Sequence, residues 1–530
     1  MELQPWAAYL AAALATVFFL NAVLRRCRRR RAYNLPPGPK QWPVIGNLNL
    51  LGELPHRSVH ELSRRYGPLM QLRFGSSPVV VGSSVEMARL FFKTHDAAFA
   101  GRPRLAVGEH LAYGYSDMLW SPYGAYLRQA RKLCAGELFS ARRLESLDHV
   151  RGEEVRAMLR DLRRGAAAAA AAASGRRAVR LRDYLQTATL GVISRIVMGK
   201  KYGEEEGEAA GDGGSPPVTT AAEFRAMVDE FLFLSGVFNI GDFVPWLDWL
   251  DPQGYVRRMK RSRRMVDRLL DRVLDEHDGR RRREGERFVA RDMVDVLLQL
   301  EDDTGLEVQL RRNNVKALIQ DLIVGGTDTS AMTIEWAISE LLKNPETLAK
   351  ATEELGRVVG HDRLVTERDL PSLPYLEAVV KETMRLHPAA PMLAPHLARK
   401  DVCVGGYDVL AGTMVLLNVW SICRDPVLWE APEEFSPERF VRSKVDVRGQ
   451  DFELLPFGTG RRMCPAYNLA LKVMQLSIAN LLHGFTWRLP DGMTEEELNM
   501  DETYLLATPR KVPLEAVIKP KLPAHLYTGL

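Results

Sequence analysis

The chain has few cysteines, little excess charge and neither of the common nucleotide-binding loops. Its 530 residues include five cysteines, which lie far apart at Cys27, Cys134, Cys403, Cys423 and Cys464. No pair has the spacing of a zinc finger or a redox motif, so the pattern argues against a disulfide framework and favours a reducing compartment. A Gly-x-Gly-x-x-Gly fingerprint and a Gly-Lys-Ser/Thr loop are both missing, which indicates that the chain has no nucleotide site of its own.

The formal net charge is only +5, and positive charge is concentrated near the N-terminus. A cluster of arginines between positions 25 and 31 follows the apolar run Trp6–Leu24. That run is close to the roughly 20 residues that cross a bilayer. Because the basic cluster comes after the run, the pattern favours an uncleaved signal anchor over a cleaved signal peptide. Because the position of these arginines beside an apolar run already accounts for them, nucleic acid is not expected as a partner.

Helical periodicity dominates the rest of the chain, as in Leu310–Leu342. Arg142–Arg164 is predicted to form one helix, which the alanine tract Ala166–Ala173 would extend. Leu69–Gly75 and Ser77–Val81 alternate like the strands of a hairpin. We therefore expect a mainly α chain with minor β sheets. Its predicted parts are a membrane anchor over residues 1–31, a proline-rich hinge over 32–45 and one catalytic domain over 46–530.

One cysteine, Cys464, lies in a glycine-rich loop just before a strongly apolar helical stretch. Thiolate is the metal-binding form of cysteine, and the neighbouring Arg461 and Arg462 favour that form. Gly458 and Gly460 permit a tight loop whose backbone can lie against a flat ligand. Such a loop suits a single axial thiolate ligand to haem iron. The alternative is a buried free cysteine that behaves as a small apolar residue.

The order Phe-x-x-Gly-x-Arg-x-Cys over residues 457–464 resembles the haem-binding signature of the cytochrome P-450 family. The resemblance implies that Cys464 is the proximal iron ligand, that Phe457 and Gly460 contact the haem, and that Arg462 pairs with a haem propionate. The family usually has glycine two residues after the cysteine, whereas this chain has Ala466, a change that adds one methyl group.

A second motif, Gly-Gly-Thr-Asp-Thr-Ser over residues 325–330, interrupts the long apolar helix. It resembles the oxygen-activation motif of the same family. An acid beside an alcohol can supply protons, so Asp328 and Thr329 are the predicted catalytic pair, with Asp328 nearer solvent and Thr329 nearer the iron. The Thr329 hydroxyl can bond back to the carbonyl four residues earlier. Alternatively, Gly325 and Gly326 serve tight packing and Asp328 is a surface residue.

Two further elements match the family. Glu382 and Arg385 share a helix face, and with Arg439 the resemblance implies a buried network that supports folding and haem retention. Arg131 stands where the family has an arginine for a haem propionate, and His396 is a further candidate for that contact.

The resemblance covers the whole chain and is greatest to plant microsomal members. It implies haem b as cofactor and insertion of one oxygen atom of O2 into a lipophilic specialised metabolite, either a flavonoid or other phenylpropanoid, or a terpenoid. Alternatives are oxidative C–C cleavage of a terpenoid alcohol to a homoterpene, fatty-acid hydroxylation, a reductase-independent haem-thiolate isomerase or dehydratase, and a haem-binding sensor without turnover. The substrate-lining positions implied by the family are Phe231, Leu318, Leu322, Gly325 and Leu506.

Electrons must come from another protein, because the chain has no nucleotide loop. The resemblance implies an NADPH–cytochrome P-450 reductase, with cytochrome b5 as a second possible donor, so NADPH acts only indirectly. We expect Arg128, Arg131, Lys132 and Arg461 to form a basic face that steers an acidic flavoprotein. The anchor implies a single-pass protein of the endoplasmic reticulum membrane, in contact with lipid, whose catalytic domain faces the cytoplasm.

Overall fold

The computed structural model describes Thr16 and residues 33–171, 178–201 and 221–528. The helices of nine or more residues are α1 (Pro55–Tyr66), α2 (Ala125–Leu133), α3 (Asp148–Ala171), α4 (Leu181–Met198), α5 (Ala221–Gly236), α6 (Tyr255–Glu284), α7 (Met293–Glu301), α8 (Arg312–Lys343), α9 (Pro345–Val359), α10 (Pro374–Leu386) and α11 (Tyr467–Gly484). The shorter α-helices are Val85–Arg89, Asp96–Phe99, Ala106–His110, Ala141–Ser146, Ile240–Phe243, Val419–Ile422, Glu438–Val441 and His525–Thr528. Short 3-10 helices cover Leu48–Leu50, Pro245–Leu250, Gly285–Arg287, Leu370–Ser372 and Gly460–Arg462, and π turns cover Leu90–Thr94 and Cys134–Leu138.

Nine short strands form three small sheets in the described residues. They are β1 (Leu69–Phe74), β2 (Ser77–Gly82), β3 (Val179–Arg180), β4 (His396–Leu397), β5 (Val402–Val404), β6 (Tyr407–Val409), β7 (Met414–Leu417), β8 (Phe485–Arg488) and β9 (Glu515–Pro520). The largest sheet has the order β1-β2-β7-β4, with β2 and β7 parallel. The other sheets are β3-β9-β8 and the pair β5-β6. The prediction of a mainly helical chain with small sheets is confirmed.

Helix α8 is the centre of the fold because it is apolar on almost every face. Most of its 32 residues are buried, and α4 and α11 pack along it. One apolar core cluster surrounds its first half and another surrounds its second half. The Gly-Gly-Thr-Asp-Thr-Ser motif therefore lies deep in the protein, at the junction of the two clusters.

The helix predicted over Arg142–Arg164 is in fact two helices. The chain leaves the helical conformation at Leu147, where φ is −107° and ψ is 13°. Asp148 then places an acidic side chain in the first turn of α3, where it is favourable to the helix dipole. The alanine tract continues α3 to Ala171, in agreement with its high helix propensity, and the rest of the tract lies outside the described residues.

The predicted membrane anchor lies outside the described residues, apart from Thr16. Within the ranges given above, no helix is both long enough and apolar enough to cross a bilayer. The described part of the predicted hinge is held against the catalytic body. Gln71 of β1 donates its N–H to the Pro37 carbonyl at 2.7 Å, and a Cβ on Gly38 would lie 1.9 Å from the Gln71 oxygen. Only glycine fits this close approach between the proline-rich segment and the sheet.

Candidate active site

A cavity of about 350 Å³ lies where α8 approaches the loop that carries Cys464. Its walls include Gly325 and Thr329 from α8, Phe231 from α5, and Phe457 and Cys464 from the loop before α11. The structure therefore brings residues more than a hundred positions apart in sequence to one enclosed space.

The Cys464 loop has the tight conformation that its glycines permit. Gly458 and Gly460 have φ values of 66° and 67°, in the left-handed region. The Cys464 N–H donates to the Phe457 carbonyl at 2.9 Å, which closes the loop beneath the sulfur. Burial raises the pKa of the Cys464 thiol, whereas a hydrogen bond from the Ala466 N–H and the charge of Arg131 lower it. Ala466 has φ of −96°, a conformation that an alanine adopts without strain.

Three guanidinium groups crowd one end of the cavity. Arg102, Arg131 and Arg462 all line it, together with His396. Burial, followed by the charge of the neighbouring Arg131, lowers the pKa of Arg462 to about 10. Burial and the charge of Arg462 likewise hold the pKa of Arg102 well below its usual value. Asp117 opposes the charge of Arg102 and Arg462, and Asp96 opposes that of Arg131, so three guanidinium groups face two carboxyl groups and the cluster favours an anionic ligand.

These features fit haem. Cys464 supplies a thiolate ligand, the guanidinium cluster matches two propionates, and Gly458 offers backbone without a side chain beside Phe457. A Cβ on Gly325 would meet no protein atom within 4 Å, so the opposite wall is also open. His396 completes the basic end, with its Nδ1 held 2.8 Å from the Phe99 carbonyl oxygen and its ring buried.

The two glycines of α8 face different surroundings. Gly325 opens onto the cavity, whereas a Cβ on Gly326 would lie 2.4 Å from Ile193 Cδ1 of α4. The Thr329 hydroxyl donates to the Gly325 carbonyl at 2.7 Å, the back-bond expected from the sequence. Thr329 lines the cavity.

The position expected for Asp328 is wrong. Asp328 is 4% exposed and does not line the cavity, whereas Thr329 is partly accessible from it. Successive helix residues point about 100° apart, so Asp328 faces the neighbouring helices α4 and α5 instead of solvent. There Gln186 donates to Asp328 Oδ1 at 3.2 Å. Burial, followed by the charge of Asp229, raises the pKa of Asp328 to about 6.

Glu382, Arg385 and Arg439 meet in a buried network. Arg385 donates to both carboxylate oxygens of Glu382, at 2.7 and 2.9 Å, and neither side chain is exposed. Arg439 donates to Glu382 Oε1 at 3.0 Å, and the Ser436 N–H donates to the same oxygen at 2.8 Å. The remaining Arg385 donors bind the carbonyls of Cys423, Pro432 and Glu434. The network ties α10 to the segment that precedes the Cys464 loop.

Three predicted placements differ from the structure. Leu318 is buried in the core and does not line the cavity, although Leu322, one turn later, does. Gly460 packs against Asp96 and Phe92, and its neighbour Gly458 lines the cavity in its place. Arg131 was expected both at a haem propionate and on a basic surface; it is half-buried and lines the cavity, so only the surface placement differs.

Sequence reasoning also missed residues whose role depends on long-range packing. Arg102 binds the carbonyls of Ala394 and Pro395, both at 2.8 Å, and reaches the cavity from a segment without a motif. Asp321 of α8 accepts the Met118 N–H at 2.7 Å, and burial raises its pKa to about 7. No local pattern distinguishes either residue from a surface arginine or aspartate.

Comparisons with known proteins agree with this site. The cytochrome P-450 family profile matches residues 36–515. A trimethyltridecatetraene synthase and a dimethylnonatriene synthase, both from Zea mays, are each 52% identical to the chain. Each alignment covers 98% of this chain, and the alignments cover 95% of the first relative and 97% of the second. A flavonoid 3'-monooxygenase from Petunia hybrida is 44% identical, with 97% of each protein covered. A zebrafish cytochrome P-450 structure with abiraterone superimposes with a TM-score of 0.70 at 25% identity, over 88% of this chain and all of that one.

Proposed function

The chain belongs to the cytochrome P-450 family, and on that premise we propose that it cleaves a C–C bond of an acyclic terpenoid alcohol to give a branched polyene. It is a haem-dependent monooxygenase that acts on plant specialised metabolites, with haem b as its cofactor. The finer assignment concerns the substrate. The observation that carries it is the apolar wall of the cavity.

The proposed roles follow from the residues at the cavity. Cys464 would bind the iron through its thiolate, and Arg102, Arg131, Arg462 and His396 would hold the propionates. When bound, the haem supplies reductive activation of dioxygen. Around it, the apolar lining excludes bulk water, and the Thr329 hydroxyl presents an exchangeable proton at the cavity surface. The Glu382 network would keep the Cys464 loop in place.

The cavity wall favours a hydrocarbon chain over a polyhydroxylated ring system. One wall of the cavity is formed by α4, α5, α7 and the first half of α8, and Asp321 is its one polar side chain. The apolar side chains of this wall are Ile193, Ile196, Val197, Phe231, Leu232, Met293, Leu322 and Val324. A buried hydroxyl without a hydrogen-bond partner costs several kcal/mol, so a wall of this kind disfavours a flavonoid with hydroxyls on both rings. The two relatives at 52% identity are named for branched polyenes without a heteroatom.

The test is a direct comparison of substrates. The full chain in microsomes with reductase would be incubated with acyclic sesquiterpenoid and diterpenoid alcohols and, separately, with a flavanone, each with and without NADPH. We expect an NADPH-dependent branched polyene from at least one terpenoid alcohol, detected by gas chromatography and mass spectrometry. An NADPH-dependent product from the flavanone alone would overturn the proposed substrate.

Leu322 and Leu318 provide a matched pair of variants, one turn apart on α8. Leu322→Ala enlarges the cavity and should change the affinity or the product ratio for the terpenoid alcohol. Leu318→Ala removes the same atoms from the core and should lower stability without changing the product ratio. An identical effect of both substitutions on the product ratio would show that Leu322 does not contact the substrate.

Flavonoid 3'-hydroxylation is the second candidate, because relatives with that name match almost the whole chain. Asp321 and Ser330 are polar side chains on the α8 wall that a phenol could use. The same incubation distinguishes the two functions.

The membrane and redox assignments are also part of the proposal. We propose that residues 1–31 anchor the protein in the endoplasmic reticulum membrane and that residues 46–530 face the cytoplasm as one catalytic domain. An NADPH–cytochrome P-450 reductase, with cytochrome b5 as a further donor, would dock on the thiolate side. Lys132 and Arg461 are exposed there, and Arg461 lies 3.4 Å from Asp96.

A further inference from the structure

His277 is a buried histidine in the last third of α6 that does not line the cavity. Its Nδ1 lies 2.7 Å from the Val273 carbonyl oxygen, one turn earlier in the same helix. Its Nε2 lies 3.1 Å from Asp292 Oδ2, at the start of α7. A carbonyl oxygen can only accept a hydrogen bond, so Nδ1 carries a hydrogen and donates it to Val273. In a neutral imidazole with that hydrogen, Nε2 is an acceptor.

The contact between His277 and Asp292 therefore requires one more proton. A carboxylate oxygen and an unprotonated ring nitrogen are both acceptors, and two acceptors 3.1 Å apart repel each other. A proton on Nε2 makes His277 an imidazolium and converts the contact into a charge-assisted hydrogen bond. Both side chains are buried, so bulk water does not screen the pair.

The charges around His277 also favour the imidazolium. Asp295 of α7 is buried like Asp292, and Arg280 of α6 pairs with Asp295 and lies 3.9 Å from Asp292, so two carboxyl groups face one guanidinium. A proton on His277 balances these charges. Burial lowers the pKa of His277, but the hydrogen bond with Asp292 and the charges of both carboxyl groups raise the pKa by more, so it lies above its ordinary value. Charged groups on the neighbouring helices pair with carboxylates of α6, Lys200 with Glu276 at 2.6 Å and Arg312 with Asp278 at 2.9 Å.

Asp292 lies where the ends of three helices meet. It is the N-cap of α7, and its Oδ1 accepts the Asp295 N–H at 2.9 Å. Gly199, which ends α4 with φ of 73°, comes so close that a Cβ there would lie 2.5 Å from Asp292 Oδ2. The next residue, Met293, lines the cavity. The contact with His277 therefore holds the first turn of α7 and, with it, one side chain of the cavity wall.

We propose that protonated His277 is a pH-sensitive clamp on Asp292 that fixes the first turn of α7 and the Met293 side chain in the cavity wall. In the closed clamp, Nε2–H donates to Asp292 Oδ2. When Nε2 loses that proton to water, Nε2 and Oδ2 become two facing acceptors and the clamp opens. The inference goes beyond the proposed function and does not depend on the choice of substrate.

The direction of the pH effect follows from proton linkage. In the opened or unfolded chain, His277 has a pKa of about 6.5. Below that pH both states hold the proton, and the clamp stabilises α7 fully. Above it, and up to the raised pKa of the folded protein, only the closed state holds the proton. The equilibrium constant for opening should therefore rise about tenfold per pH unit in that range, and the stabilisation is lost above it.

The experiment is amide hydrogen exchange of the haem-loaded full chain, followed by mass spectrometry over residues 290–301 and corrected for the intrinsic exchange rate at each pH. Asp292→Asn keeps the N-cap, and its amide can donate to unprotonated Nε2, so this variant needs no extra proton. Protection should fall with increasing pH above about 6.5 in the wild type and stay constant in Asp292→Asn. The matched control is Glu284→Gln, which removes the partner of Arg291 at 2.9 Å and should keep the wild-type pH dependence.

Protection that does not change with pH in the wild type would overturn the clamp, and so would the same pH dependence in Asp292→Asn. If Asp292→Asn loses the haem spectrum, His277→Gln replaces it, because a glutamine amide also donates without titrating. A stoichiometric metal ion in the purified protein, whose removal by a chelator abolishes the protection, would place a cation between Nε2 and Oδ2 and also reject the proposal.

A second readout tests the effect on the cavity wall. The dissociation constant of an acyclic sesquiterpenoid alcohol, measured from the shift of the haem Soret band, should rise with pH in the wild type and stay constant in Asp292→Asn. A constant value in the wild type would overturn the control of the cavity wall by His277. If the alcohol causes no shift at any pH, the proposed substrate fails, and hydrogen exchange still decides the role of His277.

Discussion

Gly325 and Gly326 are adjacent in α8, but they lack a side chain for different reasons. The space around Gly325 is cavity, and the space around Gly326 is filled by Ile193. We therefore expect Gly325→Ala to stabilise the protein and Gly326→Ala to destabilise it, although the two substitutions are chemically identical.

The magnitudes follow from two opposing terms. Alanine in place of glycine within a helix stabilises by about 1 kcal/mol, because it restricts the unfolded backbone. Nothing in the protein opposes this gain at Gly325, so the free energy of unfolding should rise by about 1 kcal/mol. At Gly326 an extra methyl group in a packed contact costs about 1–3 kcal/mol, which leaves a net loss of about 0–2 kcal/mol. The two variants should therefore differ by about 1–3 kcal/mol.

The assay is urea-induced unfolding of the haem-loaded full chain, followed by circular dichroism. Ile193→Ala removes the atoms that lie 2.4 and 2.8 Å from the added Cβ and serves as the partner in a double-mutant cycle. In that background, Gly326→Ala should become stabilising by about 1 kcal/mol. Equal stability of the two single alanine variants, or a Gly326→Ala penalty that survives Ile193→Ala, would refute the packing argument.

Two further predictions concern the support and the ligand of the haem. Glu382→Ala leaves the buried Arg385 guanidinium and the partly buried Arg439 guanidinium without their carboxylate and should lower the free energy of unfolding by about 3–5 kcal/mol, measured by the same urea titration. The control Glu377→Gln, on the same helix, breaks a half-exposed ion pair with Lys381 and should lower the free energy of unfolding by less than about 1 kcal/mol. A similar loss of stability in the Glu382 and Glu377 variants would mean that burial does not decide the cost. Cys464→Ser should abolish the thiolate-type carbon monoxide spectrum of the reduced protein, and an unchanged spectrum would show that another residue is the ligand.

The sequence alone predicted the local geometry correctly where a residue's role depends on its neighbours along the chain. Glycines at 458 and 460 predicted a tight loop, and the loop has positive φ at both. Thr329 was expected to bond back along its own helix, and it does. In each case the relevant atoms lie within one turn, so spacing determines the geometry.

The sequence did not predict a side chain's surroundings where these depend on which helix packs against it. The direction of Asp328 follows from the packing of α8 against α4 and α5, and spacing within α8 contains no information about that packing. The same limit separates Leu322 from Leu318, which share a residue type and a helix. Arg102 lies in a segment without a motif, and only the tertiary fold brings it to Arg462 and the cavity.

The crowding of Arg102, Arg131 and Arg462 has a consequence for biogenesis. Before the prosthetic group is inserted, the newly made polypeptide holds like charges together in its interior, which opposes compaction of that region. Accumulation of the enzyme in a cell should therefore track porphyrin supply rather than transcript level. A porphyrin with both acid groups esterified should fail to rescue the polypeptide from degradation, even though its ring and metal are the same.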